Sequence, residues 1–240
     1  MSGTGSRSAV LGLPAGGLPE RAIVVGDPAR ASRAAQLLAG ATEVASNREY
    51  LTFAGSWKGS QVVIASHGVG APGALVAFEE LLDAGVHEVV RVGTAGSMRG
   101  DLGAGAVVLA EAAVRDDGVT DQYLPASYPA TCCPELVLAL QTQLLARSLT
   151  PTRGIIWTRA LLRPAFVPLP IETYRAAGVV AIEMELSSLL VLASARGARA
   201  AGVFVLDGPS ADAAPYRPDA ALVASVSGLV LEAALDAITM

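Results

Sequence analysis

Three features of the chain predict an α/β fold, a three-layer domain built on a central twisted mixed sheet. Short apolar strands alternate with helical stretches along most of the length. Most of the strands run straight into a glycine or carboxylate cluster, as at Gly26-Asp27, Gly68–Gly73, Gly93–Gly96, Glu183–Glu185 and Asp207-Gly208. Finally, 240 residues that are 52% hydrophobic and 16% charged suffice for one well-buried core and are short for two. In sheets of this kind ligands sit at the carboxyl ends of strands, so the clusters are expected to face one crevice. Residues 1–8 read as a loose polar arm, and residues 9–240 as a single domain.

Arg21–Gly26 is a β-branched run that turns at Asp27-Pro28 into an alanine-rich helix reaching about Leu38. Proline costs no hydrogen bond in a first helical turn, and the free N–H groups there seat an anion, with Arg30 one turn in. The alternative is that Asp27 only caps the helix and Arg30 is a solvated charge. Arg48–Phe53 alternates, Gly55–Gly59 is a hairpin-like connection, and Gln61–Ser66 is the next strand. His67 and a glycine-rich turn lead into the helix Ala74–Ala84; His67 itself reads as a hydrogen-bonded turn residue or a minor site candidate.

Val89–Gly100 is the central stretch. Its apolar strand enters Gly93, Thr94 and Gly96, where backbone can approach a bound group closely. Arg91 lies inside that strand, and a buried guanidinium requires either an internal ion pair or a bound oxyanion. Beyond it, Gly105–Ala110 reads as a strand, Val114–Gly118 as an edge or loop and Tyr123–Pro134 as a surface loop. Glu135–Arg147 is an amphipathic helix and Thr152–Thr158 a strand. The irregular, proline-rich 159–170 stretch is a candidate lid. After a helix ending in Tyr174–Gly178 and a short strand Val179–Ile182, Glu183-Met184-Glu185 opens a helix that runs to Arg196. That carboxylate pair is either charge at a helix N-terminus or a clamp on sugar hydroxyls. Gly202–Leu206 is the last strand and ends at Asp207; a loop to Asp219 precedes a final helix to Met240.

The net charge of −5 and the lack of a basic block argue against a nucleic-acid partner, and Lys58 is the only lysine beside sixteen arginines. The start lacks the charged-then-apolar order of a secretory signal, and the apolar segment Ala220–Leu231 is too short to span a bilayer, so neither a membrane nor export is expected. Adjacent Cys132 and Cys133 do not make an ordinary disulfide, in keeping with a reducing, cytoplasmic setting. With only His67 and His87 to join them, no metal site is expected.

Taken in order, Gly26-Asp27-Pro28-Ala29-Arg30, Arg48-Glu49-Tyr50, Arg91-Val92-Gly93-Thr94-Ala95-Gly96, Glu183-Met184-Glu185 and Asp207 resemble the nucleoside phosphorylase family of uridine phosphorylases and hexameric purine nucleoside phosphorylases. The resemblance covers nearly the whole chain. It implies phosphorolysis of a nucleoside to free base and (deoxy)ribose 1-phosphate, with inorganic phosphate as co-substrate and no cofactor. It assigns Gly26, Arg30, Arg91 and Thr94 to phosphate, and Arg48 to the phosphate of a neighbouring subunit in a dimer-based homo-oligomer, a hexamer. It assigns Glu183, Met184 and Glu185 to ribose and Asp207 to protonation of a departing purine, the structural alternative being a turn aspartate.

The chain also departs from the family pattern. The neighbouring-subunit histidine that meets the ribose 5′-hydroxyl falls at Val10, which implies a 5′-modified nucleoside or weakened sugar binding. The base-facing Asp-x-Phe-Tyr stretch aligns with Ala160-Leu161-Leu162-Arg163, leaving Phe166 and Arg163 as the base-facing candidates. The Gln-x-Arg pair that reads uracil is absent. A purine-type base is therefore favoured; a pyrimidine (uridine) phosphorylase and a catalytically weak nucleoside-binding protein are the alternatives. A hydrolase has no need of Arg30, Arg48 and Arg91 together.

Overall fold

The computed structural model describes residues 7–163, 166–209 and 219–240. Strand β1 (Arg21–Val25) has four of its five residues buried and lies in parallel between β4 (Ser60–Ser66) and β5 (Glu88–Ser97). Such two-faced burial is what its unbroken apolar run requires. On its other side β5 pairs in parallel with β10 (Arg199–Pro209), so Arg91 sits in register between Val24 and Gly202 at the centre of the sheet. Beyond β4 the sheet continues antiparallel through β3 (Tyr50–Trp57) to an edge strand, β2 (Ala39–Asn47).

The other half of the sheet closes on itself. Strand β6 (Val107–Asp116) pairs antiparallel with β10 and in parallel with β8 (Thr152–Arg159); β8 pairs with β9 (Ala181–Glu183), and β9 returns to Gly96 and Ser97 of β5. This ring of five strands makes the carboxyl ends of β5, β8 and β10 converge. A two-residue strand, β7 (Ala130–Thr131), is added beside β6. The segment Val114–Gly118, expected as an edge or loop, is instead mostly strand: β6 runs to Asp116, with Val114 and Arg115 in register with Trp157 and Thr158. Its charges mislead because they cluster at the strand's end. The Arg115 side chain is largely covered, donating to the carbonyls of Leu124, Pro125 and Tyr128.

Helices α1 (Pro28–Ala35), α2 (Ala71–Asp83), α3 (Pro134–Leu145), α4 (Ile171–Ala176), α5 (Leu186–Ala195) and α6 (Ala220–Ile238) complete the domain, with α2 packed on α5 and α3 on α6. Helix α1 starts as expected, Asp27 accepting from the Ala29 N–H at 2.9 Å, and stops at Ala35. Helix α5 begins at Leu186 rather than Glu183. Helix α6 is 19 residues long, more than the apolar segment first considered. By length and composition it qualifies to cross a membrane, yet half of it is buried in the fold, against α3, β5 and β10.

Two polar ties hold the periphery. Glu80 of α2 accepts from Ser8 Oγ, Val10 N at 2.8 Å and Leu11 N at 2.6 Å, with Leu11 and Leu13 buried in the core. Ser8, expected in the loose arm, is therefore docked; residues 1–6 lie outside the described positions. In the second, Asp236 of α6 accepts from Trp57 Nε1 at 2.8 Å, Lys58 Nζ at 2.6 Å and Arg147 Nη2 at 2.5 Å. Lys58 and Gly59, both at positive φ (48° and 91°), make the two-residue turn between β3 and β4. Gly55–Trp57, expected in that connection, belong to β3. Cys132 and Cys133 are free thiols; burial pushes Cys132 up to about 12.

Candidate active site

The carboxyl ends of β1, β4, β5, β8, β9 and β10 surround one cavity of about 720 Å³. Of the expected site residues, Gly26, Arg30, Arg91 and Thr94 line it, as do Glu183, Met184, Glu185, Asp207 and Arg163. Two do not. Arg48 is exposed at the tip of the β2–β3 turn, with φ at 54°, a region that costs a non-glycine residue free energy. Phe166 is fully exposed and takes no part in the cavity wall. Pro164, within the candidate lid, lies outside the described residues, as does Ser210 in the turn after Asp207. Val10 is not on the cavity either; its backbone is held by Glu80 and by Asn47 Nδ2 at 2.6 Å.

Arg91 is 4% exposed, and the internal ion pair that its burial demands is present. Its Nε and Nη2 donate to Glu183 Oε2 at 3.2 and 3.0 Å, Nη2 donates also to Glu185 Oε2, and Nη1 lies 2.9 Å from His67 Nε2. The guanidinium also packs over Phe204, 5.2 Å from the ring centroid. Gly93 makes room for this arrangement: a Cβ there would stand 2.8 Å from Phe204 and 3.1 Å from Arg91 Nη1. Breaking such a buried cluster by removing one partner costs about 3–5 kcal/mol.

Glu183 and Glu185 are both buried but differ in what they have left to offer. Glu183 accepts from Arg91, from Thr158 Oγ1, and from the backbone N–H groups of Glu185 at 2.8 Å and Leu186 at 2.9 Å, and so caps α5. A carboxylate has about four acceptor positions. Glu183 is therefore saturated within the chain: its contacts are those of the helix-N-terminus alternative, together with a clamp on Arg91. Glu185 accepts from the Gly70 N–H at 2.6 Å and from Arg91, and keeps acceptor capacity on the cavity side. Burial, helped by Glu183 and opposed by Arg91, holds its carboxyl above the usual range.

Arg30 stands in the same cavity from α1. Burial and the like charge of Arg91 both lower its pKa, while Asp27 and Asp207 partly offset them. Two guanidiniums in one cavity make it attractive to an anion, but the first-turn N–H groups of α1, expected to be free for one, are already used: Ala29 N donates to Asp27 Oδ1 at 2.9 Å, and Arg30 N and Ala31 N each donate to Asp27 O at 3.0 Å.

Arg159 is a site residue the sequence reading left unassigned. It is 3% exposed, lines the cavity from the end of β8, donates to the carbonyls of Leu161 and Leu162, and lies over Trp157, 5.6 Å from the ring centroid. Its signal was available: Ile155-Ile156-Trp157-Thr158-Arg159 ends an apolar strand in an arginine, the same anomaly that singles out Arg91. Among the described residues no group of three or more His, Cys, Asp or Glu side chains is arranged to hold a metal.

Comparison with known proteins accounts for this geometry. The family model described as the phosphorylase superfamily matches residues 20–237. A purine nucleoside phosphorylase of Plasmodium vivax (strain Salvador I) is 31% identical over 188 residues, 78% of this chain and 77% of the relative. A uridine phosphorylase of Treponema pallidum (strain Nichols) is 32% identical over 208 residues, 82% and 81% of the two chains. The crystal structure of purine nucleoside phosphorylase from Toxoplasma gondii in complex with immucillin-H superposes with a TM-score of 0.92 at 28% identity, covering 100% of this chain and 97% of that one. Uridine phosphorylase from Vibrio fischeri ES114 gives a TM-score of 0.91 at 27% identity, covering 99% of each. With the same fold over its whole length, and relatives of both base preferences at similar distance, the chain belongs to the phosphorylase superfamily and is a nucleoside phosphorylase, an enzyme that cleaves a nucleoside with phosphate.

Proposed function

We propose that the nucleoside carries a purine-type base, and that the pocket accepts a modified sugar 5′-position. The observation that carries this reading is Asp207: it lines the same cavity as the Arg30–Arg91 pair, at the bulge of β10 where the register against β5 shifts between Leu206 and Gly208. A purine leaving group needs a proton at N7, and the half-buried carboxyl group of Asp207 faces the cavity from which it could be given. The absence of the Gln-x-Arg pair supports the same choice over uracil.

In this reading phosphate lies between Arg30, Arg91, Thr94 and the Gly26 turn, below the anomeric carbon. As the bond from C1′ to the base nitrogen breaks, the ribosyl group becomes cationic, and the phosphate stabilises it before its oxygen bonds to C1′. Asp207 donates a proton to N7, so the base departs neutral and the aspartate is left ionised. Glu185 accepts from the ribose hydroxyls and Met184 packs on the sugar. Arg48, exposed at a hairpin tip and away from its own cavity, reaches the phosphate of a neighbouring copy in a dimer-based homo-oligomer, and Val10 of that copy faces the 5′-position.

The test is chromatographic. The protein is incubated with purine, pyrimidine and 5′-methylthio nucleosides, with and without phosphate, and free base is measured. Phosphate-dependent release from purine nucleosides is expected; preferential release of uracil overturns the base assignment, and release without phosphate makes the chain a hydrolase.

A further inference from the structure

His67 is a buried titratable group, in contact with Arg91, that has no role in the mechanism above. Its backbone N–H donates to Val25 O at 2.9 Å and the Gly68 N–H to Gly26 O at 3.0 Å, so the β1–β4 ladder continues past the strand ends into the Gly26 turn. The side chain is fully buried, edge-on to Phe78 of α2 at 5.3 Å between ring centroids. Its Nε2 lies 2.9 Å from Arg91 Nη1. A guanidinium has donors and no acceptor, so the contact fixes the imidazole as neutral, with Nε2 accepting. Burial, with the charges of Arg91 and Arg30, lowers the histidine's pKa well below its ordinary value, which agrees with that tautomer.

The result is a guanidinium held on three sides. Glu183 takes Nε and Nη2, Glu185 takes Nη2, and His67 takes one hydrogen of Nη1. Among the described residues the other Nη1 hydrogen has no partner, and Nη1 abuts Gly93, which lines the cavity. We propose that His67 is a positioning residue of the phosphorolysis reaction: by accepting one Nη1 hydrogen it turns the other toward the phosphate. The two glutamates set where the guanidinium sits, and the imidazole sets the rotation of its free edge. This rests on the reading of Arg91 as a phosphate-holding residue.

The test compares His67→Leu, which keeps bulk without an acceptor, with His67→Gln, whose amide oxygen restores one. Initial rates are measured on the full chain against phosphate at saturating nucleoside, and against nucleoside at saturating phosphate. His67→Leu is expected to raise the KM for phosphate about tenfold or more and the KM for nucleoside less than about threefold, with His67→Gln recovering most of the phosphate effect. Added to Arg91→Ala, His67→Leu has little further effect, because the two act through one group. His67→Met, a more flexible apolar side chain, carries the same expectation where the leucine variant does not fold. Equal phosphate KM values in the leucine and glutamine variants, or a loss of thermal stability with phosphate KM unchanged, overturns the role of His67 alone. An Arg91→Ala variant with unaltered phosphate KM overturns the Arg91 reading and the His67 proposal with it.

Discussion

The two ends of the cavity are built differently. Around Arg91 the side chains of His67, Glu183 and Glu185 come from the ends of two strands, β4 and β9, are buried, and are joined through Arg91 and to the backbone at the starts of α2 and α5. Around Leu161, Leu162 and Arg163 the chain is irregular and exposed, and what order it has comes from Arg159 gripping two carbonyls. The first end is part of the core, where losing one partner is costly; the second is exposed, with its Leu161 and Leu162 carbonyls held by Arg159. A fold that keeps phosphate chemistry constant while its relatives act on purines or on uridine has this division of labour.

Substitutions at the two ends should differ accordingly. The largest effect is expected for Arg91→Ala, with turnover reduced by a factor of about a hundred or more, a raised phosphate requirement, and a loss of about 3–5 kcal/mol in stability from two uncompensated buried carboxylates. Steady-state kinetics and denaturant titration measure both; unchanged phosphate dependence would remove the anion seat from this end. Asp207→Asn should lower purine turnover about a hundredfold while nucleoside KM shifts less than about threefold. Equal activity would return Asp207 to a turn-capping role. Arg159→Met, by releasing the 161–162 carbonyls, should raise nucleoside KM by about tenfold and leave phosphate KM within about twofold, and a phosphate effect would erase the distinction between the ends. Phe166→Ala should leave kinetics and stability within experimental error, since the ring is fully exposed.

An effect confined to stability lies outside the site and serves as its control. Asp236 is partly buried, which by itself would raise its pKa, but the hydrogen bonds from Lys58, Arg147 and Trp57 hold it at about 2, below the usual 3.8. A group whose folded pKa is depressed contributes stability above its unfolded value and loses it as pH falls through the folded one. Denaturant titrations from pH 5 to pH 2 should therefore show a component lost across about pH 4 to 2 in the wild type and missing in Asp236→Asn. Activity at neutral pH is expected to be the same in both.

The legible parts of this chain are those where composition conflicts with position. Arg91 in an apolar strand, glycines after strands and a carboxylate pair at a strand end all stood out because burial makes such residues costly without partners. Strand β2 did not stand out: Ala39–Asn47 is small, polar and mostly exposed, an edge strand with little alternation to read. The part Glu183 plays was hidden as well, since the sequence places two carboxylates together without saying which one faces backbone N–H groups. Phe166, named as a substitute for the aromatic missing from the base-facing stretch, is exposed and off the cavity, while Arg159 ends an apolar strand as visibly as Arg91 interrupts one.

Glu183 gives the site an unusual sensitivity. The same carboxylate terminates the backbone of α5 and orients the arginine of the anion seat, so the first turn of that helix and the seat share their hydrogen bonds. If Arg91 holds phosphate as proposed, fraying of one turn would disarm the enzyme while most of the sheet is still intact. Loss of turnover on warming should then run ahead of the loss of far-UV ellipticity, and bound phosphate, by holding Arg91, should draw the two curves together.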